Sequence, residues 1–189
     1  MKVIGFVGSA RKGGNTDVLV NKVLEGAAER GAETQVVYLH DLNIKDCTGC
    51  MTCKETEGCP TGDDMQPLYD DIRAANGFVF GSPIYMGFLT GQAKSFLDRW
   101  YAFLGANRQS RLPSGKRCVL VLPQGQEDEN IFAYVGMVLG RVFNLLGIPE
   151  AKPLVAGGVR DLGEASRKEE LLSKAKAAGN ELAQPLDIL

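Results

Sequence analysis

Five short apolar runs, "KVIGFVG" (2–8), "TQVVYL" (34–39), "GFVFGS" (77–82), "RCVLVLP" (117–123) and "KPLVAGG" (152–158), alternate with longer stretches whose apolar residues recur at helical spacing. Those stretches are 16–31, 65–76, 90–105, 130–147 and 164–186. Strand following helix in strict alternation implies a parallel sheet covered by helices on both faces, because two parallel strands need a crossover long enough to hold a helix. Gly31 and Gly147 each follow an apolar helical run, as C-terminal glycines do, and Gly77 lies between the second helix and the third strand. The segment 106–116, "ANRQSRLPSGK", reads as a long exposed connection. At 189 residues and 44% hydrophobic content the chain can bury one full core, so a single domain over 1–189 is expected, with a cysteine-rich loop (46–60) after strand two.

Charge excludes some partners. With 21 basic and 23 acidic residues the net charge is -2, which provides no global basic field for nucleic acid or an anionic membrane. The N-terminal apolar run, Val3 to Val7, is too short for a signal-peptide core or a membrane span. The expectation is a cytoplasmic protein. Thiols stay reduced in that compartment, so clustered cysteines there point to metal binding or redox chemistry before structural disulfides.

Ligands of an open parallel sheet bind beyond the carboxyl ends of its strands. The loop after strand one, "GSARKGGNT" (8–16), combines three glycines with Ser9, Asn15 and Thr16 as side-chain donors and leads into a helix start with unpaired N–H groups. That is a cradle for a phosphate. It fits neither G-x-G-x-x-G nor G-x-x-x-x-G-K-[ST], so a phosphomonoester suits it better than a dinucleotide or a triphosphate. The competing reading is a capped loop in which Asn15 or Thr16 merely serves the helix N-terminus. After strand three, "GSPIYMGFLTGQAK" (81–94) would offer backbone amides and an apolar rim, with Tyr85 and Met86, to a flat ring. Those two side chains could instead pack under the 106–116 connection. The loop after strand four, "PQGQEDEN" (123–130), is a polar glycine turn for which a helix start at Asp128 or Glu129 is an equal explanation.

Four of the five cysteines, Cys47, Cys50, Cys53 and Cys59, fall within the stretch 47–59, spaced C-x2-C-x2-C-x5-C. Compact runs of this kind hold iron–sulfur clusters. Zinc more often takes two separated C-x-x-C knuckles, and a redox dithiol needs only two of the four, so a [4Fe-4S] cluster, a zinc site and reactive thiols all remain open on ligand chemistry. Cys118 sits inside "CVLVL" and reads as core, and the lone His40 ends strand two as a surface or anchoring group.

In "GSARKGGNT", "GSPIYMGFLTGQAKSFLDR" and the order of its elements, over about residues 1–160, the chain resembles the flavodoxin-like NADPH-dependent FMN reductase superfamily. With "CTGCMTCKETEGC" between them it is similar to the iron-sulfur flavoprotein branch. The resemblance implies a three-layer α/β/α sandwich with a five-stranded parallel sheet of order 2-1-3-4-5. It implies FMN with its phosphate in the loop of Ser9, Arg11, Gly14, Asn15 and Thr16, and its ring against Pro83, Ile84, Tyr85, Met86 and Gly87, near Gln124 and Gly125. It supports a [4Fe-4S] cluster on the four cysteines, although relatives without a cluster keep a reduced form of this loop. Ala10 departs from the family's usual proline. It also implies a homodimer or homotetramer; Phe96, Trp100, Tyr101 and Phe103 either spread over two helical faces, one for the sheet and one for a partner, or form a single broad core face, the two being equal alternatives.

Cluster and flavin would share the rim, linking one-electron carriers to two-electron substrates. The leading expectation is an iron-sulfur flavoprotein moving electrons between a small carrier protein such as ferredoxin, the cluster and FMN, and on to a small-molecule acceptor. The second is an NAD(P)H-dependent FMN or quinone reductase without a cluster. The third is a zinc-stapled binding module. No His, Asp or Glu is placed as an acid or base, so no catalytic residue is expected.

Overall fold

The structure is a computed structural model and describes residues 1–185. Leu186, the end of the last expected helical stretch, and the rest of the expected domain range to 189 lie outside the described residues. Strands β1 (Lys2–Val7), β2 (Glu33–Tyr38), β3 (Gly77–Gly81), β4 (Arg117–Pro123) and β5 (Glu150–Ala156) form one parallel sheet in the order β2-β1-β3-β4-β5. Helices α1 (Asn15–Glu29), α3 (Met65–Ala74), α4 (Gly91–Arg99), α5 (Ala133–Leu145) and α6 (Glu169–Leu182) each overlap one expected helical stretch. A single turn, α2 (Thr52–Glu55), lies within the cysteine loop.

Side chains alternate across the sheet with period two and so build two apolar layers. Ile4, Phe6, Phe78, Phe80, Leu120 and Leu122 face α3, α4 and α5, while Val3, Val7, Val79, Val119 and Val121 face α1 and α6. Trp100 centres the first layer, edge-on to Phe78, Phe96, Phe103 and Phe143 with ring centroids 5.3 to 5.7 Å apart. Phe96, Trp100 and Phe103 are fully buried, so the aromatic residues of this segment form one core face, and Tyr101 alone is exposed.

The expected helix 90–105 stops at Arg99 and tightens into a 3-10 turn over Trp100–Phe103. Donors from outside satisfy the carbonyls of this ending. Tyr69 Oη bonds Arg99 O at 3.2 Å, and Lys54 Nζ bonds Tyr101 O and Leu104 O, each at 2.6 Å. Gly31 has φ 81° and closes α1 as expected, with the Ala32 N–H reaching back to Ala27 O at 3.2 Å.

Candidate active site

The loops after β1, β3 and β4 end on one rim and enclose a cleft of about 370 Å3, within the size range of small-ligand sites. Ser9, Arg11, Asn15, Thr16, Pro83, Ile84, Tyr85, Met86, Gly87, Gln124 and Gly125 all line it. Gly14 does not: it is the cap of α1, and its N–H bonds Arg11 O at 3.0 Å. No side chain caps α1, so Asn15 and Thr16 do not serve the helix start.

A buried carboxylate shapes the first loop. Asp17 accepts from Gly13 N at 2.7 Å, Asn21 Nδ2 at 2.6 Å and Tyr38 Oη at 3.1 Å, which uses the Gly13 amide. Ser9 Oγ accepts from Arg11 N at 3.2 Å. The Asn15 amide bridges to the loop after β5, donating to Asp161 O at 2.9 Å and accepting from Ala165 N at 3.0 Å. The Arg11 guanidinium has no hydrogen bond or ion pair among the described residues and is the loop's free cation. These features suit a phosphate bound by Arg11, the Ser9 and Thr16 hydroxyls and the N-terminal amides of α1.

Tyr85 and Phe88 exchange backbone hydrogen bonds of 2.8 and 3.1 Å around Met86 (φ 49°) and Gly87 (φ 84°). Two left-handed central residues define a type I′ turn, and methionine in that conformation stores roughly 1–3 kcal/mol of strain, as functional loops often do. Tyr134 Oη holds the turn by donating to Gly87 O. Tyr85 is half exposed and Met86 fully exposed, so neither packs under the 106–116 connection. Beneath, Ser82 Oγ accepts from Thr90 N at 3.1 Å and Thr90 Oγ1 donates to Gly8 O at 2.6 Å. The Gly8 N–H bonds Gly81 O at 2.7 Å, and a Cβ at Gly8 would run into that carbonyl and Ala93. The first two loops are therefore one rigid unit. Gln124 is 2% exposed; its Nε2 donates to Asp128 O at 3.0 Å, and its Oε1 has no partner among the described residues. An unpaired buried acceptor costs about 1–3 kcal/mol, which a donor from a bound ligand would offset. The residues present fit FMN.

Pro123 and Gln126 of the loop after β4 also line it, and Phe132, Val159 and Arg160, which escaped the sequence reading, complete the lining. Val159 and Arg160 follow β5, whose loop carries no phosphate or ring motif. A larger apolar cavity of about 550 Å3 lies between α4 and α5, lined by Leu97, Trp100, Val138 and Leu145 among others. Lys94, Asp98, Tyr101 and Arg108 supply its polar groups, and neither the loop after β1 nor the loop after β4 reaches it.

The cysteine loop is held by cations. Arg111 donates to Cys53 O and Thr56 O, each at 2.8 Å, Arg73 to Glu57 O at 3.1 Å, and Lys54 stands 3.4 Å over the Tyr101 ring. Cys47 and Cys50 are exposed, Cys53 is buried in the core and Cys59 is half-buried. Hydrogen bonds from Thr52 lower the Cys50 thiol pKa. At Cys59 burial opposes ionisation, but the Thr61 hydrogen bonds and the nearby Arg99 charge outweigh it and lower the pKa. Among the described residues no group of three or more His, Cys, Asp or Glu side chains is arranged to hold a metal ion. Cys118 is core, and burial pushes its thiol pKa up. His40 Nδ1 lies 3.1 Å from Gln92 Nε2, an anchoring contact.

Residues 1–126 match the family profile described as NADPH-dependent FMN reductase. An iron-sulfur flavoprotein of Methanocaldococcus jannaschii is 42% identical over 99 residues, covering 52% of this chain and 51% of that protein. An iron-sulfur flavoprotein of Archaeoglobus fulgidus is 30% identical over 195 residues, covering 99% of this chain and 81% of the relative. The match thus spans about half of the first relative and most of the second. The solved NAD(P)H:quinone oxidoreductase from Methanothermobacter marburgensis superposes with a TM-score of 0.78 at 18% identity, covering 96% of this chain and 98% of that one, a likeness of fold.

Proposed function

The chain belongs to the flavodoxin-like FMN reductase and iron-sulfur flavoprotein superfamily, and from that premise we propose that it is a flavin-dependent oxidoreductase that uses NAD(P)H to reduce FMN and, through it, a quinone-like or other small acceptor. The observation that carries this reading is the meeting of three loops, a free Arg11 cation and an orphaned Gln124 acceptor at one cleft. In this reading Ser9, Arg11, Gly14, Asn15 and Thr16 form the phosphate end. Arg11 supplies charge, Ser9 and Thr16 supply hydroxyls, and Gly14 and Asn15 fix the loop. The strained turn at Tyr85 to Gly87, with Pro83 and Ile84, supports the ring and excludes water from one face. Gln124 and Gly125 close the far end. Bound FMN supplies the electron-transfer chemistry itself. Among the described residues no His, Asp or Glu lines the cleft, and in this reading the protein's part is binding, orientation and electrostatics.

The C-x2-C-x2-C-x5-C spacing and the two iron-sulfur relatives support a second reading, in which the four cysteines hold a [4Fe-4S] cluster fed by a ferredoxin-like carrier. In that reading Cys47, Cys50, Cys53 and Cys59 would hold the cluster, with Cys47 and Cys50 exposed, Cys59 half-buried and Cys53 buried. No described helix is long and apolar enough to cross a membrane. Exposed Tyr134, Met137, Val138 and Leu145 on α5 support a homo-oligomer.

Anaerobic stopped-flow mixing separates the two readings. The leading one expects NADH or NADPH to bleach the flavin absorption of FMN-loaded protein in a single saturable phase. Bleaching by a reduced carrier alone, with iron near four per monomer after anaerobic purification, would select the cluster reading. Zinc without iron in protein that binds no flavin would select a zinc-stapled module.

A further inference from the structure

The cavity of about 550 Å3 between α4 and α5 is built as a site of its own. Native cores hold few voids larger than a water molecule, and this space has the size of a small-ligand site. Its floor of Leu97, Trp100, Leu104 and Leu139 is buried, while Val138 and Leu145 at the mouth are 41% and 48% exposed. The walls are fastened against collapse. Trp100 is wedged edge-on among Phe78, Phe96, Phe103 and Phe143. Lys54 Nζ holds Tyr101 O and Leu104 O, each at 2.6 Å, and Ser110 Oγ donates to Leu146 O at 2.6 Å just past the end of α5.

The charges of the lining do not cancel. Lys94 Nζ donates to both Asp98 carboxylate oxygens, at 2.6 and 2.7 Å, so that pair is neutral. The Arg108 guanidinium has no hydrogen bond or ion pair among the described residues and leaves the lining net positive. The Lys54 ammonium, 3.4 Å over the Tyr101 ring, adds positive potential behind the same wall. A tight hairpin presents Arg108, with the Gly105 N–H donating to Gln109 O at 2.9 Å and the Arg108 N–H to Gly105 O at 3.0 Å. At φ 60° Arg108 holds a left-handed conformation that glycine or asparagine adopts more readily. Strain of this kind persists where the surrounding structure imposes it, and it collects at ligand sites.

We propose that this cavity is a second binding site, for an amphipathic monoanion whose apolar body lies on the Leu97, Trp100 and Leu139 floor and whose single carboxylate meets Arg108. Burial of the apolar body supplies affinity, and the charge-assisted hydrogen bond to the guanidinium selects the acid over an alcohol or an amine of the same shape. The site is independent of the flavin reading, because the two cavities share no lining residue. Tyr134 and Met137, exposed residues of α5 that would meet a second copy, also lie outside the lining.

The test titrates the full chain, with and without FMN, with octanoate and with 1-octanol and octyltrimethylammonium as its neutral and cationic counterparts. Calorimetry counts the sites, and emission from Trp100, the one tryptophan of the chain, reports filling of the cavity. Octanoate is expected to bind at one site, with 1-octanol about tenfold weaker and the cation weaker still. Arg108→Gln should bring octanoate down to the level of 1-octanol while leaving 1-octanol unchanged, and Arg108→Lys should keep part of the preference. Val138→Phe, which fills the mouth, should abolish binding of all three. No saturable octanoate binding, equal affinity for the three probes, or an Arg108→Gln variant that binds octanoate as wild type does would overturn the proposal. So would octanoate that FMN displaces, which would place it in the rim cleft, and octanoate excluded whenever sedimentation shows a dimer, which would give the cavity to a second copy.

Discussion

Arg99→Met is expected to destabilise the protein by about 3–5 kcal/mol, because it strands a buried carboxylate. The side chains of Arg99 and Asp63 are both fully buried and paired. Arg99 also donates to Lys45 O at 2.8 Å and Thr61 O at 3.4 Å, while Asp63 accepts from Lys45 N at 2.9 Å and Met65 N at 3.1 Å. The pair therefore buckles the two stems of the cysteine loop together. Denaturant unfolding of Arg99→Met checks the loss, and the double variant Arg99→Met/Asp63→Leu should recover part of it, since an apolar pair of similar shape leaves no uncompensated charge. A single variant as stable as wild type would show that the pair does not hold the loop. The pH dependence follows from Asp63. Burial raises its pKa, but the hydrogen bond from Arg99 and the N–H groups of Lys45 and Met65 outweigh that, and the folded value lies below the ordinary one. Its contribution is therefore full above the unfolded carboxyl pKa of about 4 and is lost as pH falls through the lower folded value, so wild-type stability should drop in acid.

Arg11→Ala is expected to weaken FMN binding by about 1.5–3 kcal/mol, the range for a hydrogen bond to a charged group. The loss should be specific to the phosphate. Arg11 is exposed and its side chain supports no other part of the fold, so riboflavin affinity should stay near that of wild type. Parallel fluorescence titrations with the two flavins check this. Equal losses for both would mean a collapsed loop, and no loss for either would mean that Arg11 points to solvent in the complex.

The five strands and the two rim loops were legible because their signals are local, whereas the strand order followed from the family resemblance. Apolar runs such as Gly77–Gly81 are short and continuous, and glycines with donors cluster in 8–16. The features that escaped depend on partners distant in sequence. Nothing near Ser82 or Thr90 announces that their hydroxyls join the first loop to the second. Arg160 reads as an ordinary surface cation until the turn after β5 carries it over Gly125. Arg99 and Asp63 look like solvated charges, yet they are buried against each other across 36 positions. Even the periodicity of 90–105 overran the true helix, because the donors that end it come from Tyr69 and Lys54. Cysteine spacing states what four thiols could ligate and not where they lie: cation-to-carbonyl bonds hold Cys53 inward while Cys47 and Cys50 face out.

In the proposed complex the rim cleft holds FMN with its phosphate at the loop of Ser9, Arg11 and Thr16. Equilibrium titration of the flavin-free wild-type protein with FMN and with riboflavin, followed by quenching of flavin fluorescence, tests it most directly. Saturable one-to-one binding of FMN is expected, with riboflavin weaker by at least about tenfold for want of the charged contacts. Absence of saturable FMN binding, or equal affinity for the two flavins, would contradict it.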